Sequence, residues 1–227
     1  MHKLSLLDVA FFIAESEASP KHVGGLMICK RPPRSKPGFA ADLYREFLTF
    51  TDVQAPFNRL IHFSLTAMPT WRDCESVDLQ QHVFYHKLPR GKNGRPELYR
   101  LVADLHQPML DRSRPLWEMH VIDGLSEGRF AVYVKTHHAS ADGVTMMRWA
   151  VDSLSPRADD LELKPIWSIR HALGHRSEKR LNEKMAQSLL ANLAGAGKRV
   201  LGIGRLSAML LLESIKLTKN AISLPFV

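Results

Sequence analysis

The 227-residue sequence has no uninterrupted apolar run of about 18 residues, the length that a membrane-spanning helix needs. It has two isolated cysteines, Cys29 and Cys74, whose spacing is not that of a redox or metal-binding motif. The N-terminal residues lack the basic start and the apolar core of a secretory signal peptide. These absences argue against a membrane-spanning or disulfide-stabilised secreted protein and favour the reducing cytoplasm.

The charge of the chain is concentrated at its C-terminal end. Residues 164–227 contain 11 Lys and Arg against 3 Asp and Glu, whereas residues 1–163 contain equal numbers, so the net charge of +8 lies in the last part. Such a segment can attract anionic lipid, the phosphates of CoA or nucleic acid. Nucleic acid is the least favoured partner because this segment has one Trp, no Tyr and no recognisable binding motif. A solvated helix face that contacts the rest of a larger protein is the simpler alternative.

Hydrophobic periodicity predicts helices and strands that are mixed along residues 5–154. The predicted helices are 5–12, 39–50, 97–105 and 144–154, and the predicted strands are 22–30, 60–65, 82–88, 116–122 and 129–137. A hairpin loop at 124–128 is expected to join the last two strands. This mixture favours an α/β or α+β sandwich over an all-helical fold.

The character of the sequence changes after residue 155. Residues 156–170 are polar and contain two prolines, which predicts a linker. Two helices are predicted at 171–194 and 199–222, and the second has an apolar stripe that suits packing against protein better than a membrane surface. The Gly197-Lys198 pair is not a phosphate-binding loop, because the required glycine spacing and the following Ser or Thr are missing.

The most informative segment is residues 136–143, THHASADG, which lies between a predicted strand and a predicted helix. Imidazole has an unperturbed pKa close to neutrality, so a histidine at a strand end facing a cleft is suited to moving a proton. A metal site is disfavoured, because His137 and His138 are neighbours on a strand and point to opposite faces. A structural turn that happens to contain histidines is the other alternative.

This segment matches the pattern HHxxxDG and is accompanied by three further blocks. These are PLWE at 115–118, LSLLDVAFF at 4–12 and HVGGL at 22–26. Together, and in this order, they make residues 1–155 resemble the N-terminal half of the bacterial wax ester synthase/acyl-CoA:diacylglycerol acyltransferase family. The resemblance implies an α/β fold, a two-layer sandwich of the chloramphenicol-acetyltransferase-like CoA-dependent acyltransferase type, followed by the linker 156–170 and a basic helical connector at 171–227.

The resemblance also implies roles for individual residues. His138 would be the general base, His137 would support it, and Asp142 would be mainly structural, either orienting the imidazole or holding the turn through an Arg or backbone N–H groups. Gly143 would leave room for substrate or allow a positive φ.

The PLWE block is open to two interpretations. Pro115, Leu116, Trp117 and Glu118 would line an acyl channel and bind substrate, or they would pack in the core near the site. The sequence does not decide between them.

The implied reaction is transfer of a long-chain acyl group from acyl-CoA to a fatty alcohol or to diacylglycerol. Direct attack of the acceptor on the thioester in a ternary complex is expected, because the thiolate leaves readily and no GxSxG elbow or Cys–His pair is present. Acyl-CoA would be the co-substrate, and neither a bound cofactor nor a metal is expected. A peptide-synthetase-like condensation domain and a non-catalytic lipid-surface binding protein are the alternatives.

The resemblance covers only the first of the two halves that this family has. We therefore expect the C-terminal half of the same protein as a partner, contributing the oxyanion site and the CoA pocket. We also expect peripheral association with the inner face of the plasma membrane or with lipid inclusions, since the substrates are apolar.

Overall fold

The computed structural model describes residues 2–64, 67–89, 94–157, 160 and 162–171. These residues all belong to one compact unit, Met1–Gly174. Its elements in chain order are β1 (His2–Lys3), α1 (Leu6–Ala14), β2 (His22–Lys30), α2 (Phe39–Phe47), β3 (Arg59–His62), β4 (Thr70–Asp73), a 3₁₀ turn (Leu79–Gln81), β5 (Val83–Lys87), α3 (Arg95–His106), β6 (Trp117–Asp123), β7 (Arg129–His137) and α4 (Gly143–Asp152).

The strands form two sheets, and this mixed α/β architecture confirms the fold class predicted from the sequence. The larger sheet has the order β2-β7-β6-β5, with β5 and β6 parallel and the other pairs antiparallel. Helix α3 makes the crossover between the two parallel strands, as parallel neighbours require. The smaller sheet is antiparallel, with the order β1-β4-β3.

Strand β7 lies inside the larger sheet and is buried on both faces. Val132 and Val134 share a core cluster with side chains of α2 and α4. Ala131 and Tyr133 belong to a second cluster that includes the fully buried Leu98 of α3. Because helices cover both faces, the strand is a nearly continuous apolar run and does not alternate between apolar and polar residues.

Helix α1 begins where the sequence predicts, because a reciprocal cap fixes its first turn. The hydroxyl of Ser5 accepts a hydrogen bond from the backbone N–H of Asp8 (3.1 Å), and the Asp8 carboxylate accepts one from the backbone N–H of Ser5 (2.9 Å). Val9, Ala10 and Phe12 form its buried side. The helix ends at Ala14, which places Glu15 immediately beyond its last turn.

The segment before residue 171 is packed into the core, although the sequence predicts a linker over 156–170. Trp167 is fully buried and stacks on Trp117, with ring centroids 5.3 Å apart. Its indole N–H donates to the carbonyl of Phe50 (3.0 Å), and its own carbonyl accepts from the N–H of Gln54 (2.7 Å). The second half of the segment is therefore part of the domain.

Most predicted bounds differ from the structure by one or two residues, and two of them miss an end by three. Helix α2 ends at Phe47 and does not continue to residue 50, because Thr49 hydrogen-bonds through its hydroxyl to the carbonyl of Glu46 in a closing turn. The strand predicted at 60–65 is shorter, Arg59–His62. The helices predicted at 171–194 and 199–222 lie, except for His171, outside the described residues. Among the described helices, none is long and apolar enough to cross a membrane.

Candidate active site

The HHxxxDG segment is held in place by the backbone of three elements. The N–H of His137 donates to the carbonyl of Leu116 just before β6 (3.0 Å). The N–H of His138 donates to the carbonyl of Lys21 just before β2 (2.8 Å). The carbonyl of His137 then accepts from Ser140 (2.9 Å), which closes the turn that leads into α4. The two imidazoles therefore have fixed backbone positions at the end of β7.

His138 lies just beyond the strand and is partly exposed. One face of its imidazole stacks on Phe11 of α1, with centroids 4.1 Å apart and ring planes at 22°. Among the described residues, no hydrogen-bond partner is found for either ring nitrogen. The ring is thus oriented by stacking while its nitrogens stay available for proton transfer, which is the geometry that a general base needs.

His137 is fully buried and faces a different environment. Its ring stacks on Phe12, the residue next to Phe11, at 4.2 Å and 11°. The backbone N–H of Ala139 donates to its Nδ1 (3.0 Å), so the proton of the neutral ring lies on Nε2. That nitrogen lies 3.4 Å from Oε1 of Glu15, although the pair does not have hydrogen-bond geometry. Consecutive phenylalanines of α1 therefore hold the two imidazoles separately.

Glu15 and Arg112 are residues of this site that the sequence analysis missed. The Glu15 side chain is 1% exposed, and its carboxylate accepts from the Arg112 guanidinium (2.7 Å) and from the backbone N–H of Lys21 (3.0 Å). Arg112 also lies over the Phe12 ring, 5.3 Å from the centroid. Burial alone would raise the pKa of Glu15, but the contacts with His137, Arg112 and Lys21 outweigh it and lower the pKa to about 2.

The sequence offers little signal for this pair. Glu15 and Arg112 are 97 residues apart, and each has at least one other charged residue within two positions, so neither stands out in the sequence. Ion pairs between distant residues leave no spacing pattern in one sequence. The carboxylate immediately after the apolar helix α1 is the one local hint, because a charge in that position is either solvated or paired.

Asp142 and Gly143 form the start of α4. The Asp142 carboxylate accepts a hydrogen bond from the backbone N–H of Thr145 (2.7 Å), which makes Asp142 the N-cap of the helix. Gly143 is the first helical residue and does not have a positive φ, so that alternative for the glycine is wrong. A Cβ at this position would meet nothing within 4 Å, so the space beside Gly143 is open.

The PLWE block lies mostly inside the protein. Leu116 and Trp117 are 3% and 2% exposed, and the Trp117 indole N–H donates to the carbonyl of Phe57 (2.8 Å). Glu118 lies 3.2 Å from Nζ of the buried Lys135 and 3.4 Å from Nε2 of His120. Burial would raise the pKa of Glu118, but the contacts with His120 and with the Lys135 ammonium outweigh it and lower the pKa. The structure places Leu116 and Trp117 in the core, whereas their role in substrate binding stays a prediction.

No group of three or more His, Cys, Asp and Glu side chains in the described ranges is arranged to hold a metal ion.

Comparison with known proteins identifies the relatives of this chain. Residues 4–226 match the wax ester synthase/diacylglycerol acyltransferase catalytic domain. A Mycobacterium tuberculosis protein named as a probable diacylglycerol O-acyltransferase is 38% identical over 165 residues, which are 71% of this chain and 36% of that protein. A second protein of that species, provisionally named a diacylglycerol O-acyltransferase, is 34% identical over 207 residues, or 89% of this chain and 45% of its own length.

Solved structures agree with these matches. The wax ester synthase/diacylglycerol acyltransferase of Marinobacter aquaeolei VT8 superposes with a TM-score of 0.71 at 34% identity, over 83% of this chain and 47% of that one. The first condensation domain of the calcium-dependent antibiotic synthetase shares the fold. It superposes with a TM-score of 0.50 at 16% identity, over 64% of this chain and 35% of that one. The chain thus spans less than half the length of these relatives.

Proposed function

Since the chain belongs to the wax ester synthase/diacylglycerol acyltransferase family, we propose that it carries the catalytic histidine of an O-acyltransferase. The substrates are a long-chain acyl-CoA and either a fatty alcohol, which gives a wax ester, or diacylglycerol, which gives triacylglycerol. The observation that carries the proposal is the partly exposed His138, which stacks on Phe11 just beyond the end of β7 in the motif whose Gly143 borders open space.

The reaction proceeds by direct attack within a ternary complex. His138 removes the proton of the acceptor hydroxyl while the oxygen attacks the thioester carbonyl carbon. The C–S bond then breaks, and the proton passes from His138 to the departing CoA thiolate. A positioned base typically contributes 10²–10⁴-fold to such a step. A comparable thiol has a pKa of about 8.5, so the thiolate leaves without further activation.

The neighbouring residues position the base and do not react themselves. His137, enclosed by Phe12 and Glu15, fixes the end of β7 and so supports the backbone position of His138. Asp142 holds the turn by capping α4. Gly143 gives clearance to the acceptor, because a side chain there would enter the open space beside the motif. Pro115, Leu116, Trp117 and Glu118 contribute by supporting the strand beside the site.

Additional polypeptide completes the active site. The relatives are more than twice as long as the portion that this chain matches. A C-terminal half of the same protein supplies the oxyanion donors and the CoA pocket. The complete enzyme works at the inner face of the membrane or on lipid inclusions, where its apolar substrates concentrate.

The test is CoA release from palmitoyl-CoA by the intact gene product, with hexadecanol or dioleoylglycerol supplied separately. Acceptor-dependent release should fall by about 10²–10⁴-fold in His138→Ala. His62→Ala, which removes a half-buried imidazole of the smaller sheet, is the matched control and should retain activity. Absence of acceptor-dependent release from folded protein would refute the acyltransferase proposal and favour the condensation or lipid-binding alternatives.

A further inference from the structure

One end of the larger sheet is strongly basic, and the described site does not use it. Strands β2, β5 and β6 finish at this end and β7 begins there, as the pairs Lys30–Arg129 and Lys87–Asp123 show. The HHxxxDG segment is at the opposite end of β7. With about 3.3 Å per residue, the nine residues of β7 separate the two ends by about 26 Å.

Six exposed cations form what we name the basic end. They are Lys30, Arg31, Arg34, Lys36, Lys87 and Arg95. Lys30 ends β2, three more lie in the connection between β2 and α2, and residues 30–38 contain no acidic side chain. Among the ion pairs of the described residues, none involves any of these six. Their charges are therefore not neutralised from within the described domain.

Two acidic groups at this end, Asp123 and Glu127, already have partners. The Asp123 carboxylate accepts from the Tyr85 hydroxyl (3.1 Å) and from the N–H of Gly124 (2.8 Å). Glu127 pairs with Arg129 at 3.2 Å. Residues 1–163 contain equal numbers of cations and anions, so the basic end reflects a segregation of charge within this part of the chain.

We propose that the basic end is a docking surface for a membrane of anionic phospholipids. Clustered Lys and Arg side chains bind such surfaces electrostatically. The choice of lipid rests on the proposed function, because long-chain acceptors dissolve in membranes. Nucleic acid is the poorer partner, since the connection 30–38 has three prolines and no aromatic side chain on which a base could stack. Lipid binding and acyl transfer then use opposite ends of β7.

Vesicle co-sedimentation of the full 227-residue chain tests the proposal. The vesicles contain phosphatidylcholine with 30% phosphatidylglycerol, and pure phosphatidylcholine vesicles serve as the neutral comparison. The test variant is Arg31→Gln/Arg34→Gln/Lys36→Gln. The matched control is Lys3→Gln/Arg72→Gln/Arg148→Gln, which removes three exposed cations elsewhere on the domain. Both triple variants lower the net charge equally and leave the basic segment 164–227 unchanged.

Each cation near an anionic surface strengthens binding about fivefold, so the test variant should lose at least about tenfold of its partitioning at low salt. The control variant should change by less than about threefold. Equal losses in both variants, or equal binding to the neutral vesicles, would overturn the proposal. A different result would also overturn it: the wild type and the test variant both fail to bind vesicles, while the wild type binds a DNA duplex and the test variant does not. Since the readout needs no acyl transfer, failure of the proposed function would leave this result standing, and the reverse also holds.

Discussion

Glu15→Gln removes one charge from the buried cluster behind the candidate base while it keeps the shape of the side chain. The carboxylate has a pKa of about 2 in the folded protein and an ordinary value of 4.5. A difference of this size corresponds to about 3 kcal/mol of stability at neutral pH. The amide also places an NH₂ group among the donors Arg112 and Lys21, which leaves one donor facing another. We expect the variant to lose about 3 kcal/mol at pH 7.

The pH dependence gives this prediction its distinctive sign. A carboxylate with a lowered folded pKa stabilises the protein above its unfolded pKa, and the contribution is lost as the pH falls through the folded pKa. The stability gap between wild type and Glu15→Gln should therefore be about 3 kcal/mol at pH 5 and above. It should shrink to about 2.5 kcal/mol at pH 4 and about 1.5 kcal/mol at pH 3.

Urea unfolding followed by tryptophan fluorescence measures the gap, since Trp117, Trp149 and Trp167 are buried in one core cluster. Other carboxylates titrate in both proteins and cancel in the difference. Glu17→Gln, an exposed carboxylate nearby, is the control and should cost less than about 0.5 kcal/mol. A stability gap between wild type and Glu15→Gln that stays constant from pH 7 to pH 3 would refute the reasoning about Glu15. So would a gap smaller than about 0.5 kcal/mol at pH 7.

Two further predictions concern stability and are measured by the same urea unfolding. Lys135→Met should lower the free energy of unfolding by about 3–5 kcal/mol, because it leaves the Glu118 carboxylate buried without its nearest cation. Adding Glu118→Gln should recover part of the loss, and a double variant no more stable than Lys135→Met would contradict this. Gly24→Ala should lower the free energy of unfolding by about 1–3 kcal/mol, since the new Cβ would lie 2.6 Å from the hydroxyl of the rigid Tyr133 ring. Gly25→Ala is the control and should be neutral or stabilising, because its Cβ meets only the flexible end of Met146. Equal effects of the two variants would count against the proposed clash.

The elements that the sequence predicts best are those whose pattern is local. Strands β2 and β7 have the bounds that their apolar runs and flanking turn residues indicate, and α1 begins at its capping serine. Strand β4 was missed because Trp71 is its one buried residue, so its four residues show no alternation between apolar and polar side chains. Strand β1, with two residues, is too short to leave any pattern.

In the candidate site, too, the residues with a local sequence pattern were predicted and those paired over a long distance were not. The motif brought His137, His138 and Asp142 to attention, since all three are encoded within a few residues. The sequence did not predict Glu15 and Arg112, because their pairing depends on how α1 packs beside the connection between α3 and β6. Sequence spacing states which residues share an element, but it does not state which distant side chains the packing brings together.

The docking of Trp167 has a consequence for the order of events during synthesis. The indole fills a place between Trp117 and Phe47, so the core stays incomplete until the ribosome has added residue 167. Strand β7 is finished 30 residues earlier, and at about 5–20 residues per second the nascent chain waits about 2–6 seconds with that surface uncovered. During this interval the domain is expected to depend on chaperones, and a nascent chain arrested before residue 167 should be far more sensitive to protease than one arrested well beyond it.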